Sequence, residues 1–91
     1  MAEADNTIFV GKKPNMSYVL AVVTQFSDGQ KEVKIKARGR SISKAVDVAQ
    51  IVKNKFVKDV NVDSLQIGTD TVKTEDGKEL NVSTIEILLK K

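Results

Sequence analysis

The chain has no cysteine, no histidine, no tryptophan, one proline and only four aromatic residues among its 91 positions. Each shortage narrows what it can do. Without cysteine there is no disulfide framework and no thiolate to serve as nucleophile or metal ligand, a composition that fits a reducing compartment. Without histidine the usual general base and the commonest metal ligand are both missing. The acids Asp63, Asp70, Glu75, Asp76, Glu79 and Glu86 form no paired catalytic or metal-ligating pattern and read as solubilising charges on strands. No enzymatic activity, no metal and no cofactor is therefore expected. The longest apolar run, Tyr18 to Val23, is six residues, against about 20 needed to span a membrane. Met1 to Asp5 shows no basic region followed by an apolar stretch, so no secretory signal is read there. The expectation is a cytoplasmic protein with no membrane partner.

Enough apolar material remains for one core. Val, Leu, Ile and Phe make up 28 of the 91 residues, which fits a single folded domain rather than a disordered chain. A domain this small buries only about two-thirds of its unfolded surface. With neither disulfide nor metal to help, self-association is the remaining common way to bury more. A homodimer is expected.

The charge is modest in total and uneven in layout. The net charge is +3, but residues 1–58 hold 11 cations and 5 acids, whereas residues 59–91 hold 4 cations and 7 acids. A polarised layout on a mildly charged chain points to one basic face.

Periodicity gives the order of elements. Residues 1–6 read as a polar, flexible tail and residues 7–91 as one domain. Thr7 to Val10 is a short buried strand ended by Gly11. Pro14 suits the start of a helix running to Ser27, with Met16, Val19, Leu20, Val23 and Phe26 as its core stripe. Glu32 to Arg38 alternates as a half-buried strand. A second helix runs from Ser41 to about Val57, with Ile42, Ala45, Ala49, Val52 and Phe56 as its stripe and Val46 and Val48 widening it. Lys53, Lys55 and Lys58 complement its negative C-terminal end. Val60, Val62, Leu65 and Ile67 populate a third strand and Leu80 to Leu89 a fourth, joined by the turn signal Glu75-Asp76-Gly77-Lys78. Apolar alternation slips by one residue at Thr71/Val72 and at Thr84/Ile85, which predicts that the distal hairpin leaves the sheet body. The fold class is α+β: a β-α-β-α-β-β two-layer sandwich with a four-stranded mixed sheet, two helices on one face and a projecting hairpin of the last two strands.

The segment from Lys31 to Lys44 carries the functional signal. In a strand, successive side chains face opposite ways. Val33, Ile35 and Ala37 then face the core, while Lys34, Lys36 and Arg38 face outward, and Arg40 continues that phase past Gly39. Ser41 and Ser43 read first as helix caps, with Ser43 also a candidate phosphate contact beside Lys44. Lys12 and Lys13 precede the other helix. Cations at a helix start oppose its dipole, a local cost that an incoming phosphate would relieve. Two readings stand side by side: a solvated sheet face with solubility charges, or one surface for a polyanion, of which nucleic acid is the obvious example. Phe9, Phe26 and Phe56 are expected to be buried. That argues against a platform for stacking single-stranded bases and favours duplex DNA or structured RNA as partner.

Six stretches in order resemble the Alba family of archaeal chromatin proteins. They are Gly11-Lys12-Lys13-Pro14, Tyr18-Val19-Leu20-Ala21, Ile35 to Arg40, Ile42 to Asp47, Asn54-Lys55-Phe56 and Val82 to Ile87. The resemblance implies a small homodimer that coats double-stranded DNA with little sequence specificity, also binds RNA, and sits on the chromosome. It places nucleic-acid contacts on Lys12, Lys13, Arg38, Arg40 and Lys44, beside which Lys36 stands on the same strand face. It also implies acetylation at Lys12 and contact between neighbouring dimers at Phe56. Family hairpins often carry arginines; here Asn81 stands at such a place, and only Lys73 and Lys78 supply cations on the arm, so weaker hairpin contacts are expected. With 13 Lys to 2 Arg, point-charge contacts outnumber bidentate ones. From the residues alone, Phe56 reads first as the last core position of its helix, and the Val/Ala surface of that helix as core or as dimer seam.

Overall fold

The alternating segment sets the architecture. In the computed structural model, which describes residues 6–91, the chain runs through β1 (Thr7–Phe9), α1 (Asn15–Ser27), β2 (Glu32–Arg38), a 3-10 turn (Gly39–Ser41), α2 (Ile42–Ile51), a π-helical turn (Val52–Phe56), β3 (Asn61–Lys73) and β4 (Glu79–Lys90). The sheet order is β1-β2-β4-β3, with β1 parallel to β2 and the other pairings antiparallel. Val33, Ile35 and Ala37 of β2 meet Leu89, Ile87 and Ile85 of β4 across the ladder, and all six are buried. Both helices lie over that face, as the α+β reading requires. The reading of Met1 to Asp5 falls outside the described residues. Asn6, counted with the tail, is held: its side-chain amide donates to the Glu32 carbonyl at 3.2 Å, and its own carbonyl accepts the Lys34 N–H at 2.7 Å.

Several details depart from the sequence reading. The buried stripe of α1 is Tyr18, Val19, Val22 and Phe26, while Met16 and Leu20 are exposed. The hydroxyl of Tyr18 is tied to the preceding loop, and this turns the helix so that Tyr18 points inward. In β1, Ile8 is buried but Phe9 is 43% exposed on the opposite face. An unbroken apolar run gives no sign of which residue faces out.

The second helix is not one regular element. Ser41 occupies its N-cap position without a side-chain hydrogen bond, and Ser43 sits exposed in the first turn, so neither serine caps it. Gly39 makes the corner with φ of 60°, where a Cβ would come within 3.4 Å of the Val82 side chain; only glycine is comfortable there. Ala45, Val48, Ala49 and Val52 are core, whereas Val46 is exposed. Beyond Ile51 the backbone widens, closed by a bond from the Val57 N–H to the Val52 carbonyl at 2.7 Å. This wider turn carries Phe56 off the stripe and leaves it 45% exposed, so it is not a core residue.

The hairpin projects, but for a different reason than the slip in alternation. Its ladder is unbroken from Ser64 to Lys73, and the one irregularity lies between Val62 and Ser64. β2 ends opposite Thr84, so Thr69 to Lys73 and Glu79 to Ser83 pair only with each other. Five residue pairs make an arm of about 17 Å. The radius of gyration, 13.7 Å, exceeds the roughly 12 Å of a compact chain this long. β3 forms as expected, but Val62, Leu65 and Ile67 on it are exposed, Ile67 by 81%. The helices cover β1, β2 and β4 and stop short of this edge.

Candidate nucleic-acid interface

Strand direction decides which loops share an end of the molecule. Because β1 and β2 are parallel, the loop into α1 and the turn into α2 leave the sheet from the same edge. The arm runs past that edge too, since β4 passes Arg38 on its way to the hairpin tip. Lys12 and Lys13 stand in the first loop, Arg40 in the 3-10 turn, and Lys44 in the first turn of α2.

Tyr18 stitches these pieces together. Its hydroxyl oxygen accepts the Gly11 N–H at 2.9 Å and the Lys13 N–H at 3.0 Å. The Lys44 ammonium lies 5.9 Å from its ring centroid, within the range of a cation–π attraction. The two cationic segments are thus held to one buried side chain. Tyr18 was missed as a site residue; its signal was that a phenol placed among apolar neighbours needs a polar partner.

Both helix starts are open. Neither Pro14 nor Ser41 provides a side-chain cap, and neither first turn contains an acid. The Ser17 N–H is spent on the Pro14 carbonyl and the Ile42 N–H on the Gly39 carbonyl of the 3-10 turn, so what both starts present beside the cations is an uncapped positive dipole end, which attracts phosphate.

The strand cations behave differently. The Glu86 carboxylate lies 3.8 Å from Lys34 Nζ and 3.3 Å from Lys36 Nζ, and Arg38 reaches Asp70 at 4.0 Å. Lys36 also stands over the Phe9 ring, 5.7 Å from its centroid. Lys12, Lys13, Arg40 and Lys44 form no ion pair among the described residues. Lys34 and Lys36 thus belong to an ion-paired, solvated sheet face, whereas the helix-start group has no acid partner among the described residues.

On the arm, Lys73 ends β3, Lys78 lies in the turn and Asn81 accepts the Thr71 hydroxyl at 3.4 Å. The turn itself is held by the Thr74 N–H on the Lys78 carbonyl at 2.8 Å and by the Thr74 hydroxyl on the Asp76 carboxylate. That hydroxyl, aided by the Lys78 N–H, lowers the Asp76 pKa from its ordinary value, so the tip stays anionic. With Glu75 and Glu79 beside it, the tip offsets both arm lysines. At the far end of α2, Phe56 lies exposed behind Lys53, whose ammonium donates to the Val60 carbonyl at 2.9 Å. Among the described residues no helix is long and apolar enough to cross a membrane.

The chain is similar to known proteins over nearly its whole length. The DNA/RNA-binding protein Alba of Methanocella arvoryzae is 59% identical over 87 residues, covering 96% of this chain and 91% of that one. The DNA/RNA-binding protein Alba 1 of Archaeoglobus fulgidus is 57% identical over 88 residues, covering 97% and 98%. The solved structure of Alba from Thermoplasma volcanium superposes with a TM-score of 0.91 at 53% identity, covering 94% of this chain and 100% of that one. ALBA1 from Trypanosoma brucei gives 0.80 at 26% identity, covering 98% and 71%. The family model described as Alba matches residues 6–69, which include both helix starts and the whole of β2. The chain belongs to the Alba family.

Proposed function

We propose that this protein grips the phosphate backbone of nucleic acid with Lys12, Lys13, Arg40 and Lys44, and that a homodimer coats double-stranded DNA with little regard for sequence. The single observation that carries the reading is that these four cations, free of acid partners among the described residues, gather where two uncapped helix starts meet around Tyr18. Membership in a family of nucleic-acid-binding proteins that are not enzymes supports it, as do relatives named for binding both DNA and RNA. Arg38 joins the grip when a phosphate draws it from Asp70. Ser43 donates from the first turn of α2, Lys36 flanks it, and Lys73, Lys78 and Asn81 add weaker contacts from the arm. No Asn or Gln cluster on a helix is placed to read base edges, so specificity is low.

The uncovered edge supports the dimer. Val62, Leu65 and Ile67 form an apolar strip on β3, on the side the helices leave bare. A second copy is the partner that buries it. Phe56 offers a further exposed contact between dimers lined up along DNA, on the chromosome in the cytoplasm. Acetylation of Lys12 would remove one positive charge from the grip and weaken it. Structured RNA is the second reading, since phosphate contacts serve either duplex.

A dimer that neutralises about 6–10 phosphates gives a log K against log salt slope of roughly −5 to −9. Gel-shift titrations on duplex DNA and on folded RNA at matched salt, with sizing of the free protein, test the reading. Affinity that barely responds to salt would defeat it, and a monomer at micromolar concentration would remove the dimer.

A further inference from the structure

The open face of the sheet carries a groove that the duplex grip touches only at its Lys36 and Arg38 side. It has a volume of about 580 Å³ and crosses all four strands, with Phe9, Lys36, Arg38, Asp70, Thr84 and Glu86 supplying its side chains. The volume falls within the ordinary range of pockets for small ligands. Register explains the gathering: Phe9 stands beside Lys36, Lys36 beside Glu86 and Arg38 beside Thr84, all on the face away from the helices. Phe9 is the one aromatic on that face, and it is 43% exposed.

We infer that this groove is a binding site for one unpaired nucleotide of a single strand, with its base on the Phe9 ring and its phosphate on Lys36 and Arg38. This deepens the nucleic-acid reading above and rests on it for the neighbouring phosphates. The chemistry of the walls fits such an occupant. A phenyl ring offers a π face that any base can stack on, and Lys36, which stands over the ring at 5.7 Å, swings from it to the phosphate as the base arrives. An exposed aromatic on a four-stranded sheet is a recurrent way to hold splayed-out bases. The Asp70 carboxylate and the Thr84 hydroxyl accept the amino and imino hydrogens of a base edge, which duplex bases keep paired. Lys34, Lys36 and Arg38 outnumber Asp70 and Glu86 on this face, so a single phosphodiester is matched in charge. The groove is also continuous with the grip. Arg38 forms its end and leads directly through Gly39 to Arg40, so a strand parting from a duplex at the helix starts would run into it.

The test uses the full-length protein and one oligonucleotide carrying a single 2-aminopurine, offered as a single strand and as a duplex. Stacking on Phe9 quenches the 2-aminopurine fluorescence of the single strand. Phe9→Leu keeps an apolar strand residue but removes the ring, and it is expected to weaken single-strand binding about 5- to 100-fold and abolish the quench. Phe9→Tyr retains both. Duplex affinity of all three proteins stays within about twofold, because bases inside a duplex present no free face. Equal losses on both forms, or single-strand binding and quenching that survive Phe9→Leu, would overturn the inference. Duplex binding that fails while Phe9-dependent single-strand binding persists would instead sink the duplex grip and leave this site standing.

Discussion

Seven cations lie along β2 and around the two helix starts, and they fall into two sets. Lys34, Lys36 and Arg38 stand on the strand, where the ladder sets Leu88, Glu86 and Thr84 opposite them and brings Asp70 alongside from β3. Two acids answer three bases there. Lys12, Lys13, Arg40 and Lys44 stand in loops and first turns, where no register imposes a neighbour. The two sets look alike in the sequence and differ in the fold. A sheet fixes cross-strand pairs at close range, so charge on a strand tends to meet its complement there. Charge at a helix start meets only the positive end of a dipole. Field that is free to attract a polyanion therefore belongs to the loops.

The widest difference is expected from removing one member of each set. Lys44→Ala deletes an unpaired cation held against Tyr18, and it should weaken duplex binding about tenfold, the scale of one charge-assisted hydrogen bond. The salt slope should fall by about 1, equally on every sequence. Lys34→Ala deletes a cation already shared with Glu86, and its affinity should stay within about twofold of wild type. Arg38→Ala falls between, because the Asp70 contact is long and exposed and yields readily to phosphate. Filter binding at three salt concentrations measures all three. If Lys34→Ala loses as much as Lys44→Ala, the two sets are one surface and the distinction fails.

The loop set also depends on a residue without charge. Tyr18→Phe strips the acceptor from the Gly11 and Lys13 amides. Leaving partly buried amides unpaired costs about 1–3 kcal/mol each at the buried limit. For a domain of this size even 1 kcal/mol lowers Tm by about 4–8 °C. The loop carrying Lys12 and Lys13 would lose its anchor while keeping every cation. Duplex affinity should therefore fall a few-fold with the salt slope unchanged, a split that calorimetry and filter binding read together. An unaltered Tm would show that the loop holds itself.

How far the sequence revealed this division depends on period and range. Alternation from Glu32 to Arg38 gave the buried face of β2 and its outward cations correctly, because strand period is a local property. Gly39 and the Asp76-Gly77 turn were legible for the same reason, and Gly77 has φ of 83°. Whether a cation has a partner is not local: Lys36 meets Glu86 only through a pairing fifty residues apart in the chain. The exposure of Phe9 is hidden by its three-residue apolar run, Ile8-Phe9-Val10. That of Phe56 follows from a widened helical turn, which leaves no mark on apolar spacing. The exposure of the β3 strip is equally hidden, since an uncovered edge strand and an interior strand can carry the same apolar residues.

The subtlest way to sharpen the comparison is to release the paired set rather than delete it. Glu86→Gln keeps the shape of the side chain but removes the charge that holds Lys34 and Lys36 at 3.8 and 3.3 Å. Each pair is partly exposed, and such pairs contribute at most about 1 kcal/mol, so the fold should survive with a slightly lower Tm. The open face would gain one net positive charge with no residue added. If the grip extends along β2 past Arg38, low-salt duplex affinity should rise about two- to threefold and the salt slope should steepen by less than 1, since one uncompensated charge releases at most one counterion. If duplex DNA stops at the helix starts, affinity should stay flat and only single-strand binding in the groove should tighten. The paired set is kept out of the duplex grip by its acids in the first case, and by its position in the second.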